Sequence, residues 1–292
     1  MSRRPSSAAA RIAGLSGAAS IVLAACAPAN PSPSAPTEPS IGQQPSARAV
    51  SSPPSTSPSA APSVALVESP SPAPFARNPA KIVSGTPYRQ KIDPANFVAT
   101  IDNPFFPLAP GTKWTYGGDE KVVVTVTTDT KMILGVPATV VRDRVFVGGE
   151  LEEDTFDWFA QDREGNVWYL GEATRAYSSG TRSSTAGSWE AGVGGAQPGV
   201  VMPAQPTPGL QYRQEYRKGA AEDRARVLSV DDQVQAPYGH FAPALLTKEF
   251  SRLEPDDLEY KLYGKGVGLG RAVGVSGDLS VEALVSYRKG GG

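Results

Sequence analysis

DTFDWFAQDREGNVWYLGE, residues 154–172, reads as a β-hairpin, and that reading sets the fold class. Phe156, Trp158 and Ala160 alternate with Asp157, Phe159 and Gln161, the period of two that a strand imposes on its faces. The turn signal DREGN follows, and Val167, Trp168, Tyr169 and Leu170 resume an apolar extended run. Two of the four tryptophans lie in this stretch, just after the acidic residues Glu152, Glu153 and Asp154.

The flanking sequence extends the same pattern. Residues 112–116 and 120–128 read as strands, the second so rich in Val and Thr that an extended chain is the expected state. Residues 131–134 and 138–146 flank a Gly-Val-Pro turn. After the hairpin, 173–177, 211–217, 225–230, 234–236, 241–250, 258–263, 267–275 and 280–286 are short, alternating segments bounded by Gly, Pro or Asp. No strong helical period occurs after residue 100. The expected fold is all-β, an antiparallel meander forming a curved, partly closed barrel or sandwich.

Two stretches break the pattern. Pro104, Pro107 and Pro110 surround Phe105 and Phe106, which forbids a helix and predicts an irregular apolar clip on the end of the domain. Residues 187–209 hold six glycines and four prolines, together with Trp189, Val193, Val200, Val201 and Met202. That composition predicts an ordered loop folded across a face or mouth of the sheet.

The N-terminal part differs in kind. Arg3, Arg4 and Arg11 form a basic n-region, an apolar run follows, and Leu23-Ala24-Ala25-Cys26 ends it. This tetrapeptide resembles the lipobox of bacterial lipoproteins, which implies a signal peptide over 1–25 and a lipidated Cys26 as membrane anchor. Cys26 is the one cysteine of the chain, so no internal disulfide forms. Residues 26–85 carry about half of the 28 prolines among Ser and Ala, which predicts a disordered tether. Residues 86–292 are then a single all-β domain. The expected location is the bacterial cell envelope, exported and anchored to the outer face of a membrane.

Setting aside the six basic and two acidic residues before Thr86, the chain has 22 basic and 27 acidic residues, about −5. A mildly acidic domain without a basic run argues against nucleic-acid binding.

Candidate chemistry is sparse. His240 is the one histidine, which excludes a Ser-His-Asp triad and any multi-histidine metal site. No cofactor or metal is expected, and the 162–166 turn lacks the spacing of a calcium loop. Glu152, Asp154, Asp157 and Glu190 form a candidate acidic cluster. Strand alternation puts Glu152 and Asp154 on one face and Glu153 and Asp157 on the other, so a two-carboxylate site of the glycosidase kind would need Glu172 or Glu190 as partner. Trp158, Trp168, Trp189 and Met202 form a candidate binding face.

Residues 96–286 resemble a group of uncharacterised bacterial secreted proteins and lipoproteins, through NPFFPLAPGTKWTY, the hairpin with its acidic prefix, GSWEAGVGGAQPG with VMPA, YRQEY, and YGKGVGLGR. Pro237-Tyr238-Gly239-His240-Phe241 and the later Gly264-Lys265-Gly266-Val267-Gly268-Leu269 are similar to hairpins of DUF3108/TapB-like proteins, relatives of the half-open barrels LolA and LolB. That similarity implies a curved sheet with an apolar concave face. The resulting expectation is a non-enzymatic envelope module for a hydrophobic or lipid-like small molecule. The alternatives are a structural module that binds another envelope protein, and a hydrolase using the acidic cluster.

Overall fold

The computed structural model describes residues 87–291. The expected signal peptide, the Cys26 anchor and the tether lie outside the described residues. Among these, a single 3-10 turn (Pro94–Asn96) precedes β1 (Phe97–Val98), and everything regular after it is strand. In chain order these are β2 (Lys113–Gly118), β3 (Lys121–Ile133), β4 (Val136–Val147), β5 (Glu150–Asp162), β6 (Val167–Ser178), β7 (Thr181–Ser184), β8 (Trp189–Glu190), β9 (Gln197–Met202), β10 (Gln211–Arg213), β11 (Glu215–Tyr216), β12 (Asp223–Ala236), β13 (Gly239–Ser251), β14 (Leu258–Gly264), β15 (Gly268–Ser276) and β16 (Val281–Arg288).

All pairings are antiparallel, in the order β10-β12-β13-β14-β15-β16-β2-β3-β4-β5-β6-β9-β11. The two ends of this path are consecutive pieces of one segment, separated by Gln214 alone. Its first part pairs with β12 and its second with β9, while the Gln214 N–H donates to the Asp223 carbonyl at 3.0 Å. The sheet is therefore nearly closed into a barrel, which removes the exposed edges of an open meander. At this junction the backbone passes so close to Gly199 that a Cβ there would overlap the Gln214 carbonyl.

The all-β expectation holds, and several boundaries move. Residues 131–133 belong to one long β3, whose register slips between Val126 and Thr130, and Leu134 begins the turn into β4. Asp231-Asp232 is an irregularity within β12, because the ladder to β13 runs on past it to Ala236. Residues 187–209 are not a loop across a mouth: they contain β8 and β9, both paired to β6. Of the glycines there, Gly199 lies within β9 and serves a close backbone approach, while Gly187, Gly192, Gly194, Gly195 and Gly209 take positive φ in the turns between and after the strands.

Alternation along each wall strand sorts the side chains. One side of the ladder carries Trp114, Tyr116, Val122, Val126, Val141, Phe159, Tyr169, Leu245, Tyr263 and Leu284, all buried. The same side of the same strands carries Asp143, Asp157, Glu172, Thr247, Glu249, Lys261 and Glu282, also buried. The interior is thus apolar toward the clip and polar beyond it.

Candidate functional site

The clip forms the apolar half. Ile101 accepts the Leu108 N–H at 2.9 Å and Asn103 accepts the Phe106 N–H at 3.0 Å, closing residues 101–108 into a compact turn. The Gln161 side chain holds it down, accepting the Asp102 and Asn103 N–H groups at 3.0 and 2.9 Å and donating to the Asp102 carboxylate at 2.6 Å. Beneath Phe106, Pro107 and Leu108 lies a cleft of about 40 Å³ against Trp114, Phe159 and Leu269, with Asp143 the one charged side chain on its wall. The Trp114 indole N–H donates to the Val267 carbonyl at 2.7 Å, which fixes the ring's orientation.

An aromatic string leads inward from the clip. Phe106 meets Phe159 edge-on at 5.4 Å, Phe159 stacks on Tyr169 at 4.9 Å, and Tyr169 meets Trp189 edge-on at 5.2 Å. At Tyr169 the string reaches two acids. Asp157 and Glu172 are directly opposed across β5 and β6, and the Tyr169 hydroxyl oxygen lies 2.8 Å from Asp157 Oδ1 and 2.9 Å from Glu172 Oε2.

That geometry suits a proton shared within the group. A phenol has one proton, so it donates a linear bond to only one carboxylate. A proton on the other acid, donated to the phenol oxygen, would complete the second short contact. Burial, and then Asp143, pushes the Asp157 carboxyl well above its ordinary range, with the Tyr169 hydrogen bond opposing. Burial, and then Asp157 and Glu215, does the same to Glu172. Glu215 is fully buried beside them; burial raises its carboxyl strongly, while the Asp223 backbone N–H and the Trp189 indole oppose this without closing to full hydrogen bonds.

A second buried network lies on β13 and β14. Lys261 donates to Glu249 at 2.9 Å and to Glu259 at 3.1 Å, and Glu249 also accepts from the Thr247 hydroxyl at 3.0 Å and the Tyr263 hydroxyl at 3.1 Å. Burial alone would neutralise Lys261, but the two glutamates more than offset it and hold the ammonium charged. Glu259 is pushed up to about 7 by burial, partly countered by Lys261. Glu282 is buried with neither carboxylate oxygen hydrogen-bonded, and burial and Asp143 raise it.

The expected acidic cluster is dispersed. Glu152 is exposed at the register slip between β4 and β5. Asp154 forms a two-point pair with Arg142, at 2.7 and 3.0 Å. Glu190 accepts from Lys131 at 2.7 Å. Only Asp157 joins a pair, and its partner is Glu172. Among the described residues no group of three His, Cys, Asp or Glu side chains is arranged to hold a metal. The Asp162 carboxylate is filled by its own turn, accepting the Asn166 N–H, the Asn166 amide and the Trp168 indole at 2.8 to 2.9 Å.

The expected binding face is divided as well. Trp158 lies under the Lys131 ammonium, 3.3 Å from its ring centroid, and Trp168 packs against Phe97, both on the side of β5 and β6 opposite Asp157 and Tyr169. Trp189 sits on the Tyr169 side, and Met202 is fully buried opposite Val167.

No family model matches this chain, and no curated protein does. Two solved structures are similar at a low level. A Bacteroides fragilis protein described as exported, with a YmcC-like fold, is 15% identical with a TM-score of 0.38, covering 63% of this chain and 99% of its own. A Parabacteroides distasonis protein described as a lipoprotein is 12% identical with a TM-score of 0.32, covering 63% of this chain and 98% of its own. Likeness at this level carries no argument about function, so the chemistry must be read from the site.

The buried acids form an internal hydrogen-bonded network whose carboxyls are raised by burial. Asp157, Glu172 and Glu215 are 0 to 1% exposed, so no substrate reaches them in this conformation. The apolar cleft beneath the clip is a place where the interior borders the surface. Sequence reasoning missed Tyr169, Glu215, Lys261 and Glu282 as members of a network. The signal for them is a polar residue two places from a buried apolar one, as in Leu245-Thr247-Glu249 or Lys261-Tyr263.

Proposed function

We propose that this chain is an exported cell-envelope protein, anchored to the membrane through a lipidated Cys26, whose β domain is a non-enzymatic binding module for a hydrophobic or lipid-like ligand. The observation that carries the reading is the apolar cleft closed by Phe106 and Leu108. These side chains come from an irregular segment, so they can leave without breaking a ladder of strand pairs. A ligand pocket needs roughly 300 Å³ or more. The cleft is smaller than that with the clip down, so an acyl-like chain binds by taking the places of Phe106 and Leu108 while Trp114, Phe159 and Leu269 remain as walls.

The alternative, docking on another envelope protein, draws on Met132, Leu134 and Val193, which are 64%, 43% and 59% exposed. Leu134 lies over Gly192, beside Val193, which makes these residues one apolar tip.

Native mass spectrometry of the protein purified from its own envelope tests the main reading, with a fluorescent fatty acid as added probe. Lipid adducts, and tighter probe binding in Leu108→Ala, are the expected results. A bare mass, with no saturable probe uptake in either form, overturns it. Recovery of a stoichiometric envelope protein lost on Leu134→Glu supports the alternative. Cys26→Ser is expected to release the protein from the membrane fraction.

A further inference from the structure

The outer surface of the barrel carries a second feature, independent of the cleft. Gln211, Arg226, Lys248 and Tyr260 form one transverse row across β10, β12, β13 and β14, and Arg213, Arg224, Phe250 and Leu258 form the next row on the same face. Arg226 is thus directly opposite Lys248, and Arg213 directly opposite Arg224. Directly opposed residues have Cβ atoms about 4.5–5.5 Å apart, and like charges so placed repel. A sheet selected for stability alone would not stack two such pairs side by side.

The two rows differ in what lies beside their cations. Arg213 lies on the rings of Tyr216 and Tyr88, at 4.4 and 5.3 Å, and the neighbouring Arg252 pairs with Glu222 at 3.7 Å. Arg226 and Lys248 have no ion pair among the described residues, and Lys248 makes only a distant contact with the Phe250 ring, at 6.0 Å. Both instead border a groove of about 280 Å³, with Phe250, Pro255 and Leu258 as its apolar floor and Asp257 at its rim. The β13–β14 connection forms the rim, fastened by the Ser276 hydroxyl donating to the Asp256 carbonyl at 2.7 Å.

We propose that this groove binds a phosphate group. Arg226 offers a planar fork of donors and Lys248 a point charge, a pairing suited to a compact oxyanion, and the Gln211 amide adds a neutral donor. The apolar floor takes the carbon part of a phosphate ester. Asp257 repels an anion carrying excess charge and accepts an ammonium, so it narrows the choice of ester. A soluble phosphate ester and a phospholipid headgroup present the same chemistry here.

The test uses the full chain carrying Cys26→Ser, so that no anchor confounds the vesicle arm. It is titrated calorimetrically with glycerol 3-phosphate, and sedimented with phosphatidylcholine vesicles with and without phosphatidylglycerol. Saturable, salt-sensitive binding of either probe is expected, with a loss of about tenfold or more in Arg226→Gln and in Lys248→Gln, since each removes a charge-assisted hydrogen bond. Arg226→Lys is expected to retain part of the affinity, and Asp257→Asn to tighten it. Binding of glycerol 3-phosphate identifies a soluble source; binding of phosphatidylglycerol vesicles alone identifies a headgroup. Both Gln variants are also expected to raise the thermal midpoint, because each relieves a like-charge pair. Absence of saturable binding to both probes, or binding unchanged in both Gln variants, overturns the proposal.

Discussion

Asp157 and Glu172 face each other across β5 and β6 with a single phenol, that of Tyr169, between them. Like charges directly opposed destabilise a sheet, and burial sharpens the cost. Burial and neighbouring acids raise both carboxyls, which favours a proton on the pair. Tyr169→Phe removes the shared hydroxyl and leaves both acids short of a partner. It is expected to cost about 1–3 kcal/mol, read as a fall in urea midpoint with unchanged m-value. An unchanged midpoint would show that the hydroxyl contributes nothing to the fold.

Stability is expected to fall as pH rises. Asp157, Glu172, Glu215 and Glu282 are raised well above the ordinary carboxyl values, and Asp223 and Glu259 are raised to about 7. A group raised on folding holds more protons in the folded than in the unfolded chain between its two pKa values. Its contribution is complete below the unfolded value and is lost as pH rises through the folded one. Urea midpoints should decline from mild acid through about pH 7, set by Asp223 and Glu259. A midpoint rising over that range would contradict the burial described.

Lys261→Met removes the one buried lysine among the described residues and leaves Glu249 and Glu259 facing each other. Breaking a buried pair from one side costs about 3–5 kcal/mol. Part of that loss should return at low pH, as the two acids take up protons. A denaturation series at mildly acid and mildly alkaline pH checks both statements, and a loss equal at the two pH values would refute the account of the network.

Gly199→Ala tests the closure of the barrel. The added Cβ meets the Gln214 carbonyl, which belongs to backbone and cannot swing away. Overpacking of this kind costs about 1–3 kcal/mol. The expected signature is faster amide exchange in β9, β11 and the adjoining part of β12, with the centre of β3 to β5 unchanged. Uniform protection across the sheet would place the closure elsewhere.

The all-β class was legible because alternation is local. Residues 156–161 alternate before a turn signal, and the structure pairs 153–161 with 167–176 as a hairpin. The irregular clip was legible from its prolines, since ring geometry forbids a helix there whatever the surroundings. Residues 187–209 misled because glycine and proline signal loops on average, while at Gly199 the missing side chain serves a close crossing of two chains. The acidic residues misled in a similar way. Their density near residue 154 suggested a cluster, yet Glu152, Asp154 and Glu190 each found a separate environment.

What the amino-acid order determines by itself is the period: which residues share a face, where turns interrupt it, and that a cysteine follows a leader-like segment. Only the tertiary structure decided which faces meet. Asp157 and Glu172 are 15 positions apart and become opposed through the register of two strands. Glu215 reaches them because one segment closes the sheet, and Arg226 meets Lys248 through the pairing of β12 with β13. Periodicity is a property of the local backbone, whereas register and closure depend on how all the strands pack together.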